Sequence, residues 1–207
     1  LLRTMREEHH LDFIHASLPA EKAYVFTTRI PGTGQTREDM RSILEFKLEG
    51  YVPIAPKEAL FDHTIIGTAV GGKDLDVSVT VVPKTLVGSY LQLFRDAGLT
   101  PLSFEVEAEA IARSVVAQDD QRTLMLVDFG AVKTGLAIVS RGIVQFTSVL
   151  ELSGRELTAA LQQKRSLSFH EAEGLKKEKG LATRKGNERV FEALVGTVDR
   201  FKNEINR

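Results

Sequence analysis

The chain has 207 residues, 43% of them hydrophobic, with a formal net charge of -1 and no cysteine. That is enough apolar material for one or two ordinary cores; it excludes disulfide frameworks and thiolate chemistry, and the near-neutral charge gives no electrostatic reason to expect nucleic acid. No run approaches the roughly 20 apolar residues of a membrane-spanning helix, and the charged start from Arg3 to His10 is no secretory signal.

Residues 1–15 read as the tail of an element that begins upstream, since no capping signal opens them. Tyr24, Phe26 and Ile30 then share one face of a strand. The segment 31–36 is a turn ending in Thr36, a helix cap, with Asp39 three residues later as a weaker form of the capping box. Met40, Ile43, Leu44, Lys47, Leu48 and Tyr51 follow at helical spacing until Pro53 and Pro56 stop the helix. Strands over 60–66 and 75–82 flank the hairpin turn Gly71-Gly72, and Val77, Val79 and Val81 alternate along the second. A helix over 85–97 carries Leu86, Tyr90, Leu91 and Phe94 on one face and ends at Gly98. A short strand at 102–106 and a helix at 107–117 lead into the polar link 118–122, the best domain boundary in the chain.

Leu124 to Val127 is an unbroken apolar run before Asp128-Phe129-Gly130, the pattern of a central strand covered on both faces. Gly130 turns the backbone sharply, Thr134 returns it to a strand over 135–139, and a further strand spans 143–150. A hairpin of this kind can aim amides at a phosphate while the aspartate reaches a metal or water. Ser153-Gly154 opens the next helix, and Ser168-Phe-His-Glu171 is a full capping box for another that ends at Gly180. After a loop at 181–187, Phe191, Leu194, Val198, Phe201 and Ile205 mark a strongly amphipathic last helix. The histidines at 9, 10, 15, 63 and 170 lack ligand spacing and read as surface or capping residues. Lys176-Lys-Glu-Lys179 reads as a solvated helix face. Pro31-Gly-Thr-Gly34 lacks the ending of a P-loop and reads as a turn.

The order of these pieces resembles the PilM family, actin-like proteins of type IV pilus assembly that are similar to the cell-division protein FtsA. The resemblance rests on Ser17-Leu-Pro19, Arg29-Ile-Pro31, Glu45 through Tyr51-Val-Pro53, Phe61-Asp62, Ala97-Gly-Leu-Thr-Pro101, Glu107-Ala-Glu-Ala110, Val127-Asp-Phe-Gly130, Ser168-Phe-His-Glu-Ala-Glu173 with Leu175-Lys176, and Glu204-Ile-Asn-Arg207. It implies an α/β, partial actin-like (ribonuclease H-like) ATPase fold with an inserted small α/β subdomain of strand-helix-strand-strand order. The divisions it implies are a first-domain remnant at 1–17, the small subdomain at 18–106, a returning helix at 107–119, and the start of the second domain with part of its insertion at 120–207. On this reading the chain is a fragment lacking both ends, and its two apolar units touch only through helices or loops.

The same resemblance assigns roles residue by residue. Asp128 matches the aspartate that holds magnesium through water, Gly130 the turn glycine, and Thr134 the threonine that closes the loop. Ser153 and Gly154 match the turn near the terminal phosphate, and Glu107 matches the position that orients attacking water. Ala131-Val132-Lys133 departs from the small residues common in such a loop, which narrows the space above its amides, and leaves Lys133 to attract phosphate as a point charge. Glu107 also reads as an acid in the first turn of a helix, where the dipole favours it. The function implied is a cytoplasmic adaptor, at the inner face of the inner membrane, that binds the N-terminal tail of a PilN-like membrane protein. ATP and magnesium belong to the full-length protein, and at most slow turnover is expected. A GspL-like type II secretion domain and an FtsA-like ATPase are the alternatives. For the partner groove, the helix from Thr36 to Tyr51 and the stretch Tyr51-Val-Pro-Ile54 offer exposed candidates.

Overall fold

Alternation of period two and stripes of period 3.6 along the chain become eight strands and seven α-helices in the computed structural model, which describes residues 1–32, 36–182 and 187–206. Part of the turn expected at 31–36, part of the loop at 181–187, and Arg207 lie outside the described residues. In chain order the elements are α1 (Leu2–His9), β1 (Phe13–Leu18), β2 (Tyr24–Pro31), α2 (Arg37–Leu48), β3 (Ala59–Thr68), β4 (Asp74–Pro83), α3 (Lys84–Asp96) and β5 (Thr100–Val106). Then come α4 (Glu107–Val115), β6 (Thr123–Phe129), β7 (Thr134–Ser140), β8 (Ile143–Leu150), α5 (Gly154–Arg165), α6 (Phe169–Lys179) and α7 (Glu188–Ile205). The strands form sheets of order β1-β5, β2-β4-β3 and β6-β7-β8.

By packing, the described residues divide into two units. One comprises Leu1–Leu126 with Ala137–Ser148, and the other Val127–Leu136 with Val149–Arg207. The polar link at 118–122 therefore lies inside the first unit, and the strands of the third sheet run from one unit into the other.

In the first unit β4 is the central strand of its sheet and is covered on both sides. Its odd face, Val77, Val79 and Val81, is fully buried with Leu44 and Leu48 of α2 and with Ile30 of β2. Each of these side chains contributes roughly 1.5–3 kcal/mol by leaving water. The antiparallel register places Tyr24 opposite Val81 and Phe26 opposite Val79, so the face read from β2 is the one α2 covers. Thr36 caps α2 with a complete box, its hydroxyl accepting from the Asp39 amide at 3.2 Å while the Asp39 carboxylate accepts from the Thr36 amide at 2.9 Å. The even face of β4 is buried at Ser78 and Val82 and partly open at Thr80. Val82 joins Leu18, Val25, Val106, Ala108, Ala112, Val139 and Val144 in a second cluster, and the Ser78 hydroxyl donates to the Val144 carbonyl at 2.6 Å. The sheets therefore meet strand to strand, which corrects the expectation of contact through helices and loops alone. A valine stripe announces its own face only; Ser78 and Thr80 conceal the other because their hydroxyls are satisfied by neighbours distant in sequence.

Residues 1–15, read as the tail of an element, hold α1 and the start of β1, and Phe94 of α3 packs with Ile14, Ala16 and Phe104 above the β1-β5 pair. A second correction concerns β6. It is an edge strand, with Met125, Val127 and Phe129 each 44–49% exposed, so only one of the two faces implied by its apolar run is covered.

The second unit is held by α5, α6 and α7 around Leu161, Ala172, Val190, Ala193 and Leu194. Ser168 and Glu171 form the capping box at the start of α6. Phe201 of α7 meets Phe129 edge to face at 5.5 Å between centroids.

Candidate functional site

Asp128 sits near the end of β6, exposed, and its carboxylate takes no hydrogen bond or ion pair from the described residues. The chain then closes a tight loop: the Gly130 amide donates to the carbonyls of Asp128 at 3.1 Å and Lys133 at 3.0 Å. Gly130 does not adopt a left-handed conformation. It is needed because a Cβ there would stand 2.7 Å from the Lys133 carbonyl oxygen, inside any tolerable contact. Ala131 and Val132 are exposed on the loop, and Lys133 is half-buried. Thr134 is fully buried, and its hydroxyl donates to the Leu152 carbonyl at 2.6 Å, tying the hairpin to the segment that enters α5.

That segment brings Ser153 and Gly154 against the loop. Ser153 is buried and begins α5 through its backbone, its carbonyl accepting from the Glu156 and Leu157 amides, with no side-chain cap. The first amides of a helix are ordinarily free to receive an anion. Here the Gly154 amide donates to the Gly130 carbonyl and the Arg155 amide to the Ala131 carbonyl, both at 3.0 Å. The sequence-derived set Asp128, Gly130, Lys133, Thr134, Ser153 and Gly154 is thus brought together in the second unit. The amides of Gly154 and of the adjacent Arg155 are already used. Asp128 fits a magnesium ion held largely through water, which suits a small, strongly hydrated cation. The α5 amides, as they stand, do not fit a phosphate.

One participant was missed in the sequence. Lys176 of α6 donates to the Gly154 carbonyl at 2.9 Å and to the Thr158 hydroxyl at 3.0 Å, and pairs with Glu173 at 2.7 Å. Thr158, fully buried on α5, donates in turn to Glu173 at 2.6 Å. The Lys176 ammonium, and after it the Thr158 hydroxyl, hold the Glu173 carboxyl at about 2, below its ordinary 4.5. Lys176 is therefore not part of a solvated face, its side chain being only 18% exposed, whereas Lys177 at 74% is. The signal was the Glu173/Lys176 spacing of three, which puts both groups on one side of a helix.

Glu107 belongs to the first unit. It is exposed at the start of α4, and its carboxylate accepts from the Ala20 amide at 3.0 Å, so it fastens the turn after β1.

The first unit also carries a groove on the even face of β3 and β4. One part, of about 550 Å³, is walled by Leu60 and Asp62 of β3, Val87 of α3 and Leu102 and Phe104 of β5. The adjoining part, of about 660 Å³, reaches Arg113, Arg141 and Val144, and the two parts share Thr64, Thr80, Glu105 and Glu109. β3 and β5 are both edge strands, so each has backbone groups unpaired by a sheet neighbour on one side. The candidates offered by the sequence, α2 and Tyr51-Val-Pro-Ile54, are elsewhere: α2 covers the opposite face of that sheet, and Tyr51 stacks on Phe26 at 4.2 Å with its hydroxyl against Thr28.

Comparison with known proteins places this geometry. A solved PilM-PilN type IV pilus biogenesis complex contains a chain similar to this one, with a TM-score of 0.76 and 21% identity over 99% of this chain and 60% of that one. MreB 5 of Spiroplasma citri, solved with AMPPNP, has a TM-score of 0.51 at 15% identity over 60% of this chain and 46% of its own. MreB5 with ADP has the same score and identity over 59% and 46%. The fold is therefore α/β and actin-like, and the chain spans about 60% of the PilM chain it matches. Among the described residues no helix is long and apolar enough to cross a membrane. The sequence model for type IV pilus assembly protein PilM matches residues 1–205, and the chain belongs to that family.

Proposed function

We propose that this chain acts in type IV pilus assembly as an adaptor that holds the N-terminal tail of a PilN-like inner-membrane protein in the groove of its first unit. The observation that carries the reading is the groove itself, lined by apolar side chains between two edge strands, β3 and β5, with a few fixed polar groups. That is what an extended segment requires: strand edges for its main chain and pockets for alternate side chains. The PilM-PilN complex to which the chain is similar supports the partner's identity. The adaptor works in the cytoplasm, at the inner face of the inner membrane, and meets the membrane through its partner. The test is titration of a labelled peptide of the tail's first dozen residues into the folded protein. Saturable binding is expected, and its absence removes the reading.

Nucleotide enters this proposal as a regulator. MreB5, similar in fold, was solved with AMPPNP and with ADP, and Asp128 offers a place for magnesium. The loop and α5 already satisfy each other's hydrogen bonds, which favours nucleotide as a signal that rearranges this contact over rapid turnover. Glu107 would orient water in any slow hydrolysis, at the cost of its bond to Ala20.

A further inference from the structure

Cross-strand register orders the floor of the groove. Leu60 faces Val82, Asp62 faces Thr80, and Thr64 faces Ser78, all on the same side of the sheet. Beyond Thr64, the Arg141 guanidinium reaches β3 near Gly67, whose added Cβ would lie 3.9 Å from Nη1. The line from Asp62 to Gly67 is roughly 16 Å, about five extended residues.

Charge changes sign along this line. At the Asp62 end the lining contains Asp62, Glu105 and Glu109 and no lysine or arginine among the described residues. Glu105 is paired with Arg113. Among the described residues Glu109 accepts only from neutral donors, the Thr80 hydroxyl at 2.6 Å and the Val106 amide at 3.2 Å, and Asp62 accepts only the His63 amide at 2.8 Å. Arg113, bonded to Glu105, lies between the two parts, which share Glu105 and Glu109; Arg141 stands at the other end. His63 is the remaining titratable residue along this end, opposite Val79 on the other face of the sheet. Two carboxylates without a cationic partner among the described residues, side by side around Thr80, thus border an apolar pocket lined by Leu18, Val82, Val87 and Phe104.

Resting on the adaptor reading, we infer that the groove fixes the direction of its occupant by binding the free α-amine of the tail between Asp62 and Glu109. The first side chain fills the apolar pocket and the peptide runs along β3 toward Arg141. An amino-terminal tail carries this cation whatever its sequence, and complementary charge at the two ends disfavours the reversed peptide. Acidic or carbonyl groups further along the tail meet Arg141.

The experiment uses a peptide of the first dozen residues of the PilN-family protein from the same organism, with a free or an acetylated amine. Photo-crosslinkers are placed near its beginning or near its end. Acetylation is expected to weaken binding about fivefold or more. Asp62→Asn, a change at an exposed position, should weaken the free peptide similarly and remove most of the effect of acetylation. The early crosslinker should label β3 and β5 around Asp62 and Leu102, and the late one the turn at Arg141. Equal binding of the two peptides, or the opposite labelling pattern, overturns the inference while leaving the adaptor reading standing. Absence of saturable binding by either peptide overturns both.

Discussion

The amide of Gly154 donates to the carbonyl of Gly130 at 3.0 Å, so the start of a helix is joined to a loop that precedes it by an entire hairpin. The two glycines do different work. A methyl at residue 130 would collide with the Lys133 backbone at 2.7 Å, whereas at residue 154 it would meet its nearest neighbour, Lys176 Nζ, at 3.4 Å. Gly130→Ala should cost about 1–3 kcal/mol through forced displacement of the loop. Gly154→Ala should change stability by less than about 1 kcal/mol, in the stabilising direction, because alanine suits a helix better. Urea unfolding of both variants checks the contrast.

Ser78→Ala removes the hydroxyl that donates to the Val144 carbonyl at the contact between two sheets. A buried acceptor left without its partner costs about 1–3 kcal/mol. The expected result is a lower denaturant midpoint with an unchanged slope. A neutral substitution would mean that the two sheets do not depend on this bond.

These positions also show what a sequence reveals. The capping boxes at Thr36 and Ser168 were legible because both partners lie within one turn of chain. The stripe at Val77, Val79 and Val81 was legible because period two shows a buried face directly. Ser78, beside them, was not, since its importance comes from β8, 66 residues away. The apolar run of β6 misled because residue type records what can be buried, and its edge position leaves Met125, Val127 and Phe129 exposed. In the candidate site, the meeting of the Asp128 loop with Ser153-Gly154 followed from family resemblance. The Glu173/Lys176 spacing of three marked their pairing, but the reach of Lys176 to Gly154 and Thr158, like the groove, depends on helix packing and register, which local spacing does not contain.

The Lys176, Glu173 and Thr158 network gives an acid-sensitive contribution to the second unit. Because the Glu173 carboxyl is held at about 2, below its ordinary 4.5, its stabilisation is fully present above 4.5 and is lost as pH falls toward 2. Glu173→Gln should lower the urea midpoint near neutral pH, and the gap from the unmodified protein should close over that interval. A gap independent of pH would place the effect of the substitution in packing instead of charge.

For nucleotide, the occupied amides of Gly154 and Arg155 predict weak ATP binding by these 207 residues, since each charge-assisted bond not made forfeits about 1.5–3 kcal/mol. Calorimetry should find no micromolar affinity. If nucleotide regulates the protein as proposed, Asp128→Ala should impair magnesium-dependent binding more than Glu107→Ala, whose effect should fall on turnover.

The most direct measurement of the central claim is tail-peptide binding followed by fluorescence anisotropy, comparing the unmodified chain with Leu102→Lys. Leu102 is 57% exposed and lines the groove, so the change blocks the apolar wall without emptying a core. The account predicts saturable binding that weakens about tenfold or more in the variant. Binding that is absent from the folded unmodified chain, or identical in the two proteins, would contradict it.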